Sequence, residues 1–100
     1  MEGNHKWKDQ FTDQLFKAVL FLKDVEECGN FFEDIATINE IKELSQRLEV
    51  ARMLYKGMTY DEIAEKTGAS SATISRVKKC LHYGSDGYKT ILKRLIKEKE

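Results

Sequence analysis

One hundred residues, 41% apolar and without proline, leave room for one small, largely helical domain with a modest core. The formal net charge is zero, but residues 1–40 hold four Lys/Arg against nine Asp/Glu (net −5), and residues 41–100 hold thirteen against eight (net +5). No run suits a membrane span and the opening MEGNHKWKDQ lacks an apolar signal core, so a membrane role is excluded and a cytoplasmic protein is expected.

In chain order, residues 1–8 are expected to be mobile. Trp7 is read there as a partner contact or partly exposed anchor, and His5 has no metal-binding companion. From Asp9 the pattern is helical, with Phe11, Leu15, Val19 and Leu22 recurring on one stripe that Phe16 and Leu20 widen. Asp24 is positioned to cap a second helix, whose apolar face is Val25, Cys28, Phe31, Phe32 and Ile35; Gly29 weakens that helix without ending it. Thr37 and Glu40 form a capping box that opens a longer helix to about Lys56. Ile38, Ile41, Leu44, Leu48, Ala51 and Leu54/Tyr55 are its expected buried stripe, Glu43–Arg47 is a favourably ordered i,i+4 pair, and Gly57 is the stop. Residues 9–56 are read as N-terminal dimerisation helices, because their apolar sides call for a partner surface; a monomeric bundle is the plainer alternative.

Residues 59–83 carry the most information. In YDEIAEKTGASSATISRVKK (60–79), Thr59-x-x-Glu62 is a capping box, Ile63 and Ala64 face inward, and Gly68 falls in a turn that needs φ > 0. Ser70 caps the next helix, and Ile74 and Val77 pin it onto the first. This is the pattern of a helix-turn-helix; an ordinary αα-hairpin with a solvated basic face is the plainer alternative. No acid occurs from Gly68 to Tyr83. Ser71, Ala72, Thr73 and Ser75 are small groups suited to base edges, and Arg76, Lys78 and Lys79 suit phosphates. With Ser70, these are the expected DNA-binding residues. Gly84-Ser85-Asp86-Gly87 is a turn, and Tyr88, Ile91, Leu92 and Leu95 mark a last helix over 87–98 before the tail KEKE. Six helices and no strand are expected, in a single domain spanning 1–100.

The chain resembles the Trp repressor superfamily, most closely its YerC/YecD-type TrpR-related branch. The blocks that carry the resemblance are FFEDIATINEIKELSQRLEVARML (31–54), GASSATISRVKKCL (68–81) and HYGSDGY (82–88). The resemblance implies an all-α, six-helix fold, an intertwined homodimer and binding to a palindromic operator in double-stranded DNA. It also implies an effector pocket: Arg47 and Arg76 match the arginines that flank the corepressor ring, and Thr37 matches a threonine near its amino end. Val77 stands where that family has a glycine, and Cys80 where it has a serine. Asp61 replaces a base-reading arginine, so the operator should differ, and tryptophan is not the expected effector. Without a ligand, Arg76 is explained by a phosphate contact and Arg47 by pairing with Glu43.

The leading functional expectation is a dimeric, sequence-specific transcriptional regulator, acting as a repressor. The alternative is a protein-interaction adaptor on a helix-turn-helix scaffold, which the acidic first half and Trp7 would suit. An enzyme is not expected, because the chain has no nucleophile–base pair, phosphate loop or metal cluster. No cofactor is expected. Cys28 and Cys80, far apart, are read as reduced thiols packing as small hydrophobes.

Overall fold

The structure is a computed structural model that describes residues 6–99; residues 1–5, His5 among them, and Glu100 lie outside the described residues. Among the described residues there are six helices and no strand: α1 (Gln10–Leu20), α2 (Val25–Ile35), α3 (Ile38–Tyr55), α4 (Tyr60–Thr67), α5 (Ser71–Tyr83) and α6 (Gly87–Lys99). The chain divides into two compact units, one ending at Ile41 and the other beginning at Lys42.

Short polar side chains start the helices by binding backbone N–H groups that have no partner within the helix. Asp9 accepts from the Thr12 N–H at 2.9 Å, and the Thr12 hydroxyl accepts from the Asp9 N–H at 2.9 Å. Asp24 accepts from the Glu27 N–H at 2.8 Å ahead of α2. Thr37 and Glu40 form the expected reciprocal box, at 3.1 and 2.8 Å. Thr59 and Glu62 do the same ahead of α4, at 3.2 and 2.8 Å. Gly29 does not interrupt α2, and α3 stops two residues before Gly57.

In the first unit, neither α1 nor α2 has a buried residue. Phe11, Leu20, Phe21 and Val25 are 73–87% exposed. Trp7 meets Phe16 edge-on at 5.4 Å between ring centroids, and Phe31 meets Phe32 at 5.6 Å. Of the apolar residues that mark both helices in the sequence, Phe11, Phe16, Leu20, Val25 and Ile35 are exposed within one chain, and Leu15, Val19, Leu22, Cys28, Phe31 and Phe32 are half-buried.

The buried core belongs to the second unit. It comprises Val50, Ala51, Met53, Ile63, Ala69, Ile74, Val77, Leu81 and Leu92, with Leu54, Met58, Tyr60, Ala64, Tyr88 and Leu95 packed against it. The expected buried stripe of α3 needs correction. Ala51 is buried, but its buried companions are Val50 and Met53, whereas Ile38, Leu44 and Leu48 are exposed. Helix α3 therefore has two apolar faces, and only one is covered within the chain. The Glu43–Arg47 pair does not form among the described residues. On α3 it is Arg52 and Glu49 that pair, at 2.6 Å. Hydrogen bonds to Glu49 raise the Arg52 pKa above its ordinary value against a smaller opposing effect of burial.

Candidate nucleic-acid interface

The turn between α4 and α5 is built from four contacts. Gly68 adopts φ 74°, the left-handed region that costs a side-chain-bearing residue energy, and its N–H donates to the Ala64 carbonyl at 2.9 Å. The Thr67 hydroxyl donates to the Ile63 carbonyl at 2.7 Å and accepts from the Ala69 N–H at 3.1 Å. From α3, the Gln46 side-chain amide donates to the Thr67 carbonyl at 3.0 Å. Sequence reasoning missed Gln46 and Thr67, which lie 21 positions apart with no local pattern linking them. Ile63, Ile74 and Val77 are all buried beneath this turn, as the spacing predicts.

Ser70 caps α5. Its Oγ accepts from the Thr73 N–H at 3.1 Å, and its hydroxyl lies 3.2 Å from Thr73 Oγ1. Thr73 is half-buried and its hydroxyl is engaged in this cap, whereas Ser71, Ala72, Ser75, Arg76 and Lys79 are exposed. Lys78 is exposed as well, with its Nζ 5.6 Å from the centre of the Tyr60 ring on α4. That cation–π contact ties the two helices at the surface and limits where the charge can reach. The outward face of α5 is thus small, hydroxylated and basic, at the end of a helix whose first turn holds no acid. Such a face can enter a major groove, with the lysines and arginine against phosphates.

The five effector-pocket residues are distributed between the units. Thr37 belongs to the first, where its hydroxyl accepts from the Glu40 N–H. Arg47, Arg76, Val77 and Cys80 belong to the second. Three of these act on one group that sequence reasoning missed, the phenol of Tyr88 on α6. Burial raises its pKa, a nearby Cys80 raises it further, and the Arg47 and Arg76 guanidiniums pull it back down. Val77 is only 2% exposed and sits in the core. Both cysteines are free thiols; Cys28 is half-buried, but Cys80 is exposed and does not pack as a core hydrophobe. Among the described residues, no His/Cys/Asp/Glu cluster could hold a metal ion. No described helix is long and apolar enough to cross a membrane.

Comparison with known proteins agrees with this geometry. The family model described as Trp repressor protein matches residues 10–96. The Bacillus subtilis (strain 168) protein YerC is 59% identical over 95 residues, covering 95% of this chain and 90% of YerC. The crystal structure of a TrpR-like protein from Eubacterium eligens superposes with a TM-score of 0.88 at 60% identity, covering 92% of this chain and 95% of that one. A second crystal structure, from Staphylococcus aureus, gives a TM-score of 0.88 at 48% identity, with 95% of each chain covered.

Proposed function

The chain belongs to the Trp repressor protein family, and we propose that it is a sequence-specific DNA-binding transcriptional regulator that represses from a palindromic operator as a homodimer. The observation that carries this reading is the exposed, acid-free face of α5, presented by a capped and cross-braced turn. Ser71, Ala72 and Ser75 read base edges, directly or through bridging water, while Arg76 and Lys79 hold phosphates. Thr73 supports the cap and offers its methyl group to the groove.

Dimerisation supplies the missing cover for α1 and α2. In this proposal, residues 1–100 act as one domain, with 9–56 forming the dimer and 59–83 binding DNA. Tryptophan is not its effector. Val77 is held in the core and cannot swing aside for a ring, and Cys80 is a poor donor to a carboxylate.

The test is binding to duplex DNA across a salt series. The parent should lose affinity steeply with salt, and Lys79→Ala should reduce the slope by about 0.9. An adaptor would show no salt-dependent DNA affinity, so a flat response in the parent would end this reading.

A further inference from the structure

We propose that the outward face of α6 is a second DNA-contacting surface, one that grips the sugar–phosphate backbone beyond the stretch read by α5. This inference rests on the DNA-binding function proposed above and extends the contact to a different element.

Charge is the first observation. Helix α6 contains five Lys/Arg and one acid, net +4, against net +3 for α5. The helix that follows the recognition helix is therefore the more basic of the two. Its apolar side is used: Leu92 is fully buried, and Tyr88 and Leu95 pack against the core. At 100° per residue, Lys93, Arg94 and Lys97 then fall on the outer side, with Lys89 at its edge, about 60° from Leu92. Lys93, Arg94 and Lys97 are exposed and Lys89 is half-exposed.

The second observation is that, among the described residues, no ion pair neutralises this face. Among the described residues, no carboxylate forms an ion pair with Lys89, Lys93, Arg94 or Lys97. Like charges at i,i+4 destabilise a helix, and Lys89–Lys93–Lys97 makes two such steps. The helix dipole favours cations near the C-terminal end, which accounts for Lys97 but not for Lys89. Lys89 lies in the first turn, where α6 has no acid. Among the described residues, the cost of this arrangement is therefore not offset by an ion pair.

Reach is the third observation. Lys89, Thr90, Lys93 and Arg94 lie together on one open strip of α6, with Asp86 as its acidic neighbour at the helix start. Eight residue steps from Lys89 to Lys97 span about 12 Å of helix. Duplex DNA carries a negative charge about every 1.7 Å along its axis, so a straight cationic face of that length meets several phosphates. Three long side chains and one guanidinium suit a sequence-independent backbone contact. They do not suit base reading, for which the face has no small groups apart from Thr90.

The experiment compares the full-length parent with Lys89→Gln/Lys93→Gln/Arg94→Gln on random-sequence duplexes of about 15 and 30 base pairs, each over a salt series. Lys89→Arg/Lys93→Arg serves as the charge-preserving control for folding. We expect the neutralised variant to lose about 0.9 of salt slope per cation removed on the longer duplex, less on the shorter one, and its affinity to fall at least tenfold at low salt. The arginine variant should match the parent. If the parent binds DNA with a salt-dependent slope and the neutralised variant matches it, this inference is overturned and the α5 reading stands. It is overturned equally if neutralisation leaves DNA binding intact but lowers the sedimenting mass, since the partner would then be an acidic protein surface. If the parent binds no duplex, the proposed function fails first and takes this inference with it.

Discussion

Glu62 performs two tasks at the start of α4. Its carboxylate accepts the Thr59 N–H at 2.8 Å and lies 3.1 Å from the Thr59 hydroxyl. Those bonds, the backbone one first, hold its pKa below the ordinary glutamate value. A carboxylate depressed by folding stabilises the fold above its unfolded pKa and loses that contribution as pH falls through the folded pKa. Glu62→Gln keeps an acceptor for the Thr59 N–H but has no charge to titrate. The parent should therefore melt above the variant at neutral pH, and the gap should close on acidification; a gap constant with pH would contradict this account. Val77 is the second residue with a defined consequence. Removing its side chain empties core volume and places glycine inside a helix, so Val77→Gly should cost about 2–4 kcal/mol by chemical denaturation. Calorimetry with millimolar L-tryptophan should show no binding to the parent. Tight binding, with a matching gain in DNA affinity, would mean that the core yields to a ring. Gly84 is constrained differently, because a Cβ there would collide with the Cys80 carbonyl at the end of α5.

At the scale of elements, the α4–α5 turn is braced from outside the hairpin. The Gln46 side chain reaches from α3 to the carbonyl of Thr67 in a half-buried setting. Gln46→Ala would leave that carbonyl without its partner and should destabilise the protein by about 1 kcal/mol. The loss should be local as well, so amide exchange at Gly68 and Ala69 should accelerate more than at Ile74. Equal acceleration throughout would show that Gln46 stabilises the whole unit rather than the turn. Helix α3 shows where periodicity stops being informative. Its apolar residues are too numerous for a single stripe, and they divide between a face buried within the chain (Val50, Ala51, Met53) and one left open (Ile38, Leu44, Leu48). A one-dimensional pattern cannot say which of two apolar faces meets the chain's own core.

For the molecule as a whole, the first unit has aromatic and aliphatic side chains but no buried residue in either of its first two helices. Exposed apolar surface of this kind is what the proposed dimer would cover. The parent should sediment as a dimer at micromolar concentration. Leu20→Lys/Val25→Lys, at positions already exposed in one chain, should shift it to monomer without disturbing the core of the second unit. A dimeric regulator should protect two half-sites about 34–36 Å apart in a footprint. A parent that remains monomeric and folded would exclude the intertwined arrangement.

Much of the architecture is local enough to be legible in residue order. Caps at Asp24, Thr37, Thr59 and Ser70, the left-handed Gly68 and the inward pair Ile74 and Val77 each depend on neighbours within four positions, so six helices and a helix-turn-helix followed from the sequence alone. The acid-free run from Gly68 to Tyr83 is equally a property of order. Tertiary structure decided what depends on distant partners: the Gln46–Thr67 brace, the Lys78 ammonium over Tyr60, and the electrostatic influence of two arginines and Cys80 on the Tyr88 phenol. It also decided that Thr73 spends its hydroxyl on a cap and that Cys80 faces outward. Periodicity reports that a face is apolar, and capping chemistry reports where a helix begins. Which surface covers that face, and which side chain remains available for a ligand, depends on packing between residues far apart in the chain.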